Sequence, residues 1–167
     1  MSRAFVKESD DDRTAGELPE RQTSGHVNYV TPKGLEALHV RRRELTEAHE
    51  RYKADAADDT AARQKVREIE RDQRYLISQI DRAVVVDPGS QPHDEVHFGA
   101  TVKILDADGK QLSFTIVGED EADVASGRIS WASPLARALI GSRVGDSVKW
   151  VRPAGEVDLE VLSILYA

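Results

Sequence analysis

Cysteine is absent from the 167 residues, methionine occurs once, and aromatic side chains make up only 5% of the chain. Without thiols there is no disulfide framework, no thiolate metal site and no catalytic thiol, and the composition suits a reducing, cytoplasmic setting. No apolar run approaches the roughly eighteen residues that span a bilayer, so no membrane partner is expected. The opening Met1-Ser2-Arg3-Ala4-Phe5-Val6-Lys7-Glu8 turns polar too early for a signal peptide. Basic residues are in deficit as well, 23 Lys and Arg against 30 Asp and Glu, for a net charge of −7. Such a body repels phosphate backbones, which argues against a free-standing nucleic-acid binder. Nucleophile–base arrangements and phosphate-cradling glycine loops are missing too, so the chain does not read as an enzyme. His26, His39, His49, His93 and His97 have no ligand-spaced acidic partners that would suggest zinc.

What is present is charge of both signs, unevenly placed. Residues 1–31 carry 4 basic and 6 acidic side chains, residues 32–82 carry 12 and 11, and residues 83–167 carry 7 and 13. The middle segment is nearly neutral yet densely charged, as a solvated helical hairpin is. Residues 1–30, with Asp10-Asp11-Asp12, Gly16, Pro19 and Gly25 and no periodicity, read as a flexible extension. Phe5, Val6 and Tyr29 give it only weak means of holding a partner.

Thr31-Pro32 opens a helix, with Thr31 as cap and Pro32 at the first helical position. Leu35, Leu38, Leu45 and Tyr52 then follow at spacings of three and seven, with Arg42 and His49 in the same stripe as register-setting residues. A second run, Ala62, Val66, Ile69, Gln73, Leu76, Ile80 and Ala83, repeats as a heptad seam. The segment between them, residues 53–60, holds Asp58 and Asp59, either of which can cap the second helix. A short connection packs the two helices antiparallel over residues 31–84, each arm reaching about 35 Å.

Past Asp87-Pro88-Gly89 the period changes to two, and a second domain is expected over residues 85–167. Thr101–Leu105 and Leu112–Val117 flank an Asp106-Ala107-Asp108-Gly109 turn. Ser133 caps a short helix that Pro134 opens and Gly141 stops, and two more strands surround Pro153-Ala154-Gly155. Trp131 and Trp150 are expected to fill the core. The fold class is α+β: a helical hairpin, then an antiparallel sheet curled around one short helix.

Several segments now carry a resemblance. Phe98-Gly99-Ala100-Thr101-Val102, Ile116-Val117-Gly118-Glu119-Asp120-Glu121-Ala122-Asp123, Ser133-Pro134-Leu135-Ala136-Arg137-Ala138-Leu139-Ile140-Gly141, Val144-Gly145-Asp146 and Pro153-Ala154-Gly155-Glu156 are similar to the C-terminal domain of the bacterial Gre transcript-cleavage factors. Tyr29-Val30-Thr31-Pro32-Lys33-Gly34 and Arg67-Glu68-Ile69-Glu70 extend the likeness to the hairpin, so that it covers residues 29–167. The resemblance implies an FKBP-like C-terminal domain and an elongation factor that binds bacterial RNA polymerase and its elongation complex, probing the secondary channel with its hairpin. It implies no enzyme activity and no intrinsic cofactor. The polymerase's own Mg²⁺ would cleave the backtracked RNA, with tip acids completing the coordination and the nascent RNA 3′ end met only indirectly. A monomer is expected.

By this resemblance the tip acids are Asp55, Asp58 and Asp59, with Asp55 and Asp58 on the polymerase's Mg²⁺. Ser133, Pro134 and Leu135 mark the docking region, and Arg63, Arg67 and Arg71 are the residues to meet RNA or channel walls. The plain alternatives are capping acids, a helix cap and a solvated arginine face. The family tip reads approximately Gly-Asp-x-x-Glu-Asn-Ala-x-Tyr, whereas this chain has Ala54-Asp55-Ala56-Ala57-Asp58-Asp59-Thr60-Ala61-Ala62. The hairpin is also about a dozen residues shorter than in the well-known members, or about 9 Å per arm. A channel regulator that inhibits or tunes the polymerase without cleavage is the competing function. A peptidyl-prolyl isomerase is disfavoured by the few aromatics.

Overall fold

A threonine and a proline start the first long helix. Thr31 is extended, its hydroxyl accepts a hydrogen bond from the Gly34 amide at 2.9 Å, and Pro32 opens helix α1, Pro32–Asp55. In this computed structural model, which describes residues 18–167, helix α2 spans Thr60–Asp81. Of the two aspartates able to cap it, Asp59 does so, its carboxylate accepting from the Ala61 amide at 2.8 Å. Only residues 56–59 separate the helices, so α2 returns along α1.

The hairpin has its own small core. Leu38 and Leu45 of α1 pack with Ile69 and Leu76 of α2 and with Val30, all buried. Of the stripe's polar members, Arg42 is exposed, while His49 stays inside and sets Nε2 3.1 Å from the Glu70 carboxylate on the facing helix. Tyr52 is 38% exposed, so the seam loosens toward the tip.

The base of the hairpin differs from what composition suggests. Asn28–Val30, placed by composition in the extension, form strand β1, and Ala83–Val85 form strand β2 parallel to it. Asn28 is buried and donates from its side-chain amide to the Gln79 carbonyl at 2.8 Å, and Val30 is 1% exposed. Ala83 therefore lies beyond α2 rather than in its helical seam. Asp10-Asp11-Asp12, Gly16, Phe5 and Val6 lie outside the described residues.

Five strands form the second sheet: β3 Thr101–Asp106, β4 Gln111–Val117, β5 Arg128–Ser130, β6 Ser147–Arg152 and β7 Gly155–Leu165. Their order is β5-β4-β3-β7-β6. Every pairing is antiparallel except β4–β5, which corrects the purely antiparallel expectation. The β3–β4 turn forms where the sequence places it, with the Asp106 carboxylate accepting from the Asp108 and Lys110 amides at 3.0 and 2.8 Å. Helix α3, Pro134–Leu139, lies over the sheet. Its Leu135, Ala136 and Leu139 join Val102, Ile104, Ile116, Leu159 and Val161 in the main core. Trp131 and Trp150 pack against that core while partly exposed. Two long helices followed by a curled, mostly antiparallel sheet make the chain α+β. Among the described residues, no helix is long and apolar enough to cross a membrane.

Candidate functional site

The tip of the hairpin is one tight turn. Asp55 ends α1, Ala56 keeps a helical conformation at φ −67° and ψ −17°, and the Asp58 and Asp59 amides both point at the Asp55 carbonyl, at 3.4 and 3.2 Å. The last carbonyls of a helix lack partners inside it. Here Arg63 reaches back from the first turn of α2 and supplies them. One guanidinium nitrogen donates to the Ala56 and Ala57 carbonyls, each at 3.1 Å, and the other to the Thr60 hydroxyl at 2.9 Å.

These contacts sort the residues that the sequence singled out. Asp59 is committed to capping α2. Asp55 and Asp58 are exposed at the turn, and among the described residues neither carboxylate has a hydrogen-bond partner. Two carboxylates do not enclose a cation, and no group of three or more acids or histidines able to hold a metal occurs among the described residues. Of the three arginines read as RNA or channel contacts, Arg63 braces the tip. Arg67 donates to Gln64, and Arg71 holds the Asp72 carboxylate at 2.9 and 3.0 Å with its side chain only 25% exposed.

At the opposite end, Ser133 caps α3 by accepting from the Ala136 amide at 3.3 Å, and Pro134 is exposed beside it. Leu135 is 5% exposed and belongs to the core, so its side chain is not free to meet a partner. That corrects its place in the docking trio, because a helix this short must bury one face to stay on the sheet.

Between these ends lies a junction whose role the sequence does not announce. The turn Glu119–Glu121 after β4 faces the base of the hairpin. Glu121 accepts from the Thr31 amide and the Gly118 amide at 3.0 and 3.2 Å and from the Thr31 hydroxyl. Asp120 accepts from the Tyr75 hydroxyl at 2.7 Å and the Gln79 side-chain amide at 2.6 Å. Burial comes first and the Asp120 carboxylate second in pushing the Tyr75 phenol up to about 12. Gly34 suits this seat, since a Cβ there would run into the Glu121 carboxyl group and displace it from Thr31. The only sequence signal was three consecutive acids after Gly118, whose partners on the N-terminal segment and the hairpin are 41 to 95 residues away.

Residues 91–166 match the family described as transcription elongation factor GreA/GreB, C-terminal. The transcription elongation factor GreB of Neisseria meningitidis is 39% identical over 153 residues, which cover 83% of this chain and 94% of that protein. The chain belongs to the GreA/GreB family. GreA of Helicobacter acinonychis, another relative, is 46% identical over 111 residues, 66% of this chain and 68% of its own. The crystal structure of GreA factor homolog 1 (Gfh1) from Thermus thermophilus shares 32% identity, covering 84% of this chain and 99% of that one, with a TM-score of 0.38. The GreA/GreB likeness thus extends well beyond the β-domain matched by the C-terminal family description, into the hairpin that carries Asp55 and Asp58.

Proposed function

We propose that this GreA/GreB-family chain binds bacterial RNA polymerase through its β-domain and passes the hairpin into the secondary channel, stimulating cleavage of backtracked transcripts. The chemistry belongs to the polymerase; this chain is an accessory factor with no cofactor of its own. The observation that carries this reading is the pair of unengaged carboxylates, Asp55 and Asp58, on a braced turn. α1 has 24 residues, so the turn stands about 36 Å from the hairpin base.

The donor set fits the partner metal. Mg²⁺ takes hard oxygen ligands in an octahedron and usually keeps several waters, so one or two added carboxylates are what a shared site needs. When bound by the polymerase, the metal supplies charge stabilisation and an activated water. Asp55 and Asp58 would add their carboxylate oxygens and negative charge to that metal's ligands; Asp59, accepting from the Ala61 amide, keeps the turn closed. Exposed Pro134, set by the Ser133 cap, is the member of the docking trio left to face the polymerase.

Reconstituted, backtracked elongation complexes test this. Adding the protein should shorten the RNA, and Asp55→Asn or Asp58→Asn should slow the reaction about 10- to 100-fold without weakening binding to the complex. Asp59 is already engaged and aspartate is short, and these two facts support a second reading as a channel-occupying regulator. That reading takes over if the protein binds the complex and slows nucleotide addition while leaving the backtracked RNA intact.

A further inference from the structure

We propose that residues 20–26 form an ionic strap that fixes the bearing of the hairpin on the β-domain. The segment has no regular secondary structure, yet its side chains and carbonyls are anchored at both domains. At the hairpin end, Glu20 accepts two bonds from the Arg74 guanidinium, one of them 3.1 Å, and Arg21 lies over the Tyr75 ring, 4.1 Å from its centroid. Farther along, Arg82, the residue that ends α2, donates to the Ser24 and His26 carbonyls at 3.3 and 2.9 Å.

At the β-domain end, the Ser24 hydroxyl and His26 both bond the Glu119 carboxylate, His26 through Nδ1 at 3.1 Å. Arg137 of α3 lies 3.0 Å from His26 Nε2. A guanidinium only donates, so Nε2 accepts and the ring proton sits on Nδ1, facing Glu119. His26 therefore joins the turn after β4 to α3, and the same strap holds α2 through Arg74 and Arg82.

Exposed ion pairs are individually weak. Their strength here comes from being linked: once Glu20 is seated, Ser24 and His26 are a few residues from their partners, and each contact raises the effective concentration of the next. The strap runs beside the seat made by Asp120 and Glu121 but shares no hydrogen bond with it. It adds restraint against rotation to a junction otherwise held by the seat and by the Tyr29 ring, which packs on Phe98 and Trp131 with ring centroids 6.0 and 5.0 Å away.

A chain free of cysteine allows two unique labels. With Ala54→Cys at the tip and Lys110→Cys in the β3–β4 turn, single-molecule energy transfer in the full chain reads the spread of tip-to-domain distances. A narrow distribution is expected at low salt, broadening about twofold in Arg74→Ala/Arg82→Ala and also in 1 M salt, where the Debye length is about 3 Å. The charge swap Glu20→Arg/Arg74→Glu should restore the narrow distribution that Arg74→Glu alone loses. Equal widths in all of these, with helix content unchanged by circular dichroism, overturn the strap. Should the double alanine variant unfold, the swap decides: recovery relative to Arg74→Glu supports the strap, and no recovery overturns it.

Discussion

Tyr75 places its hydroxyl in the junction between hairpin and β-domain, 2.7 Å from Asp120, and its acidity follows from that position. The folded phenol, with a pKa of about 12, holds its proton more tightly than an unfolded tyrosine near 10. The stability this contributes is complete below about pH 10 and is lost as the pH rises through about 12. Tyr75→Phe should therefore be less stable than the parent in urea at pH 8, and the gap should close by pH 12. A gap independent of pH would mean that the hydroxyl is not what stabilises the contact. Asp120 is 45 residues from Tyr75 in the chain, and nothing local in the sequence links the two. The tip acids show the same limit. Their position at a turn was legible from the helix periods, whereas the division of labour between the capping Asp59 and the free pair Asp55 and Asp58 depends on which way each side chain points.

Among the elements, the long helices were the most legible, because a cap, a proline and a sustained heptad period all agree on them. The three-residue strands β1, β2 and β5 were not. Three residues cannot show a period of two, and these strands exist because distant segments supply their edges. The brace made by Arg63 was hidden for a related reason: an arginine on a charged helix looks like a solvated face until the end of the preceding helix is seen within its reach. As a brace it has a measurable consequence. Arg63→Gln should leave the Ala56 and Ala57 carbonyls without their shared donor, at a cost of about 1 kcal/mol of local stability. Amide exchange at Asp58 and Asp59 should then speed up about fivefold with the β-domain amides unchanged, by hydrogen-exchange mass spectrometry. Unchanged exchange at the tip would show that the turn holds itself.

Across the whole molecule the acidic surplus is segregated. Residues 83–167 carry 13 acids against 7 bases, and the hairpin segment is close to neutral. Free nucleic acid meets the repulsive body along with the probe, so single-stranded RNA alone should bind more weakly than about 10⁻⁴ M at 0.15 M salt. A gel-shift titration checks this, and a tight complex would mean that the hairpin arginines act on RNA without a polymerase.

The β1–β2 pairing has a kinetic side as well. It joins residues 55 apart in the chain, and it is parallel, so the whole hairpin is its crossover connection. Closing a loop grows costlier with its length, by about 0.6 kcal/mol per doubling, whereas the turn at residues 56–59 closes almost at once. Zipping from the tip brings Val30 and Val85 together only after α1 and α2 have aligned. The end of the molecule that presents Asp55 and Asp58 is thus also where its folding is easiest to begin, and the clasp at the base is the last stitch.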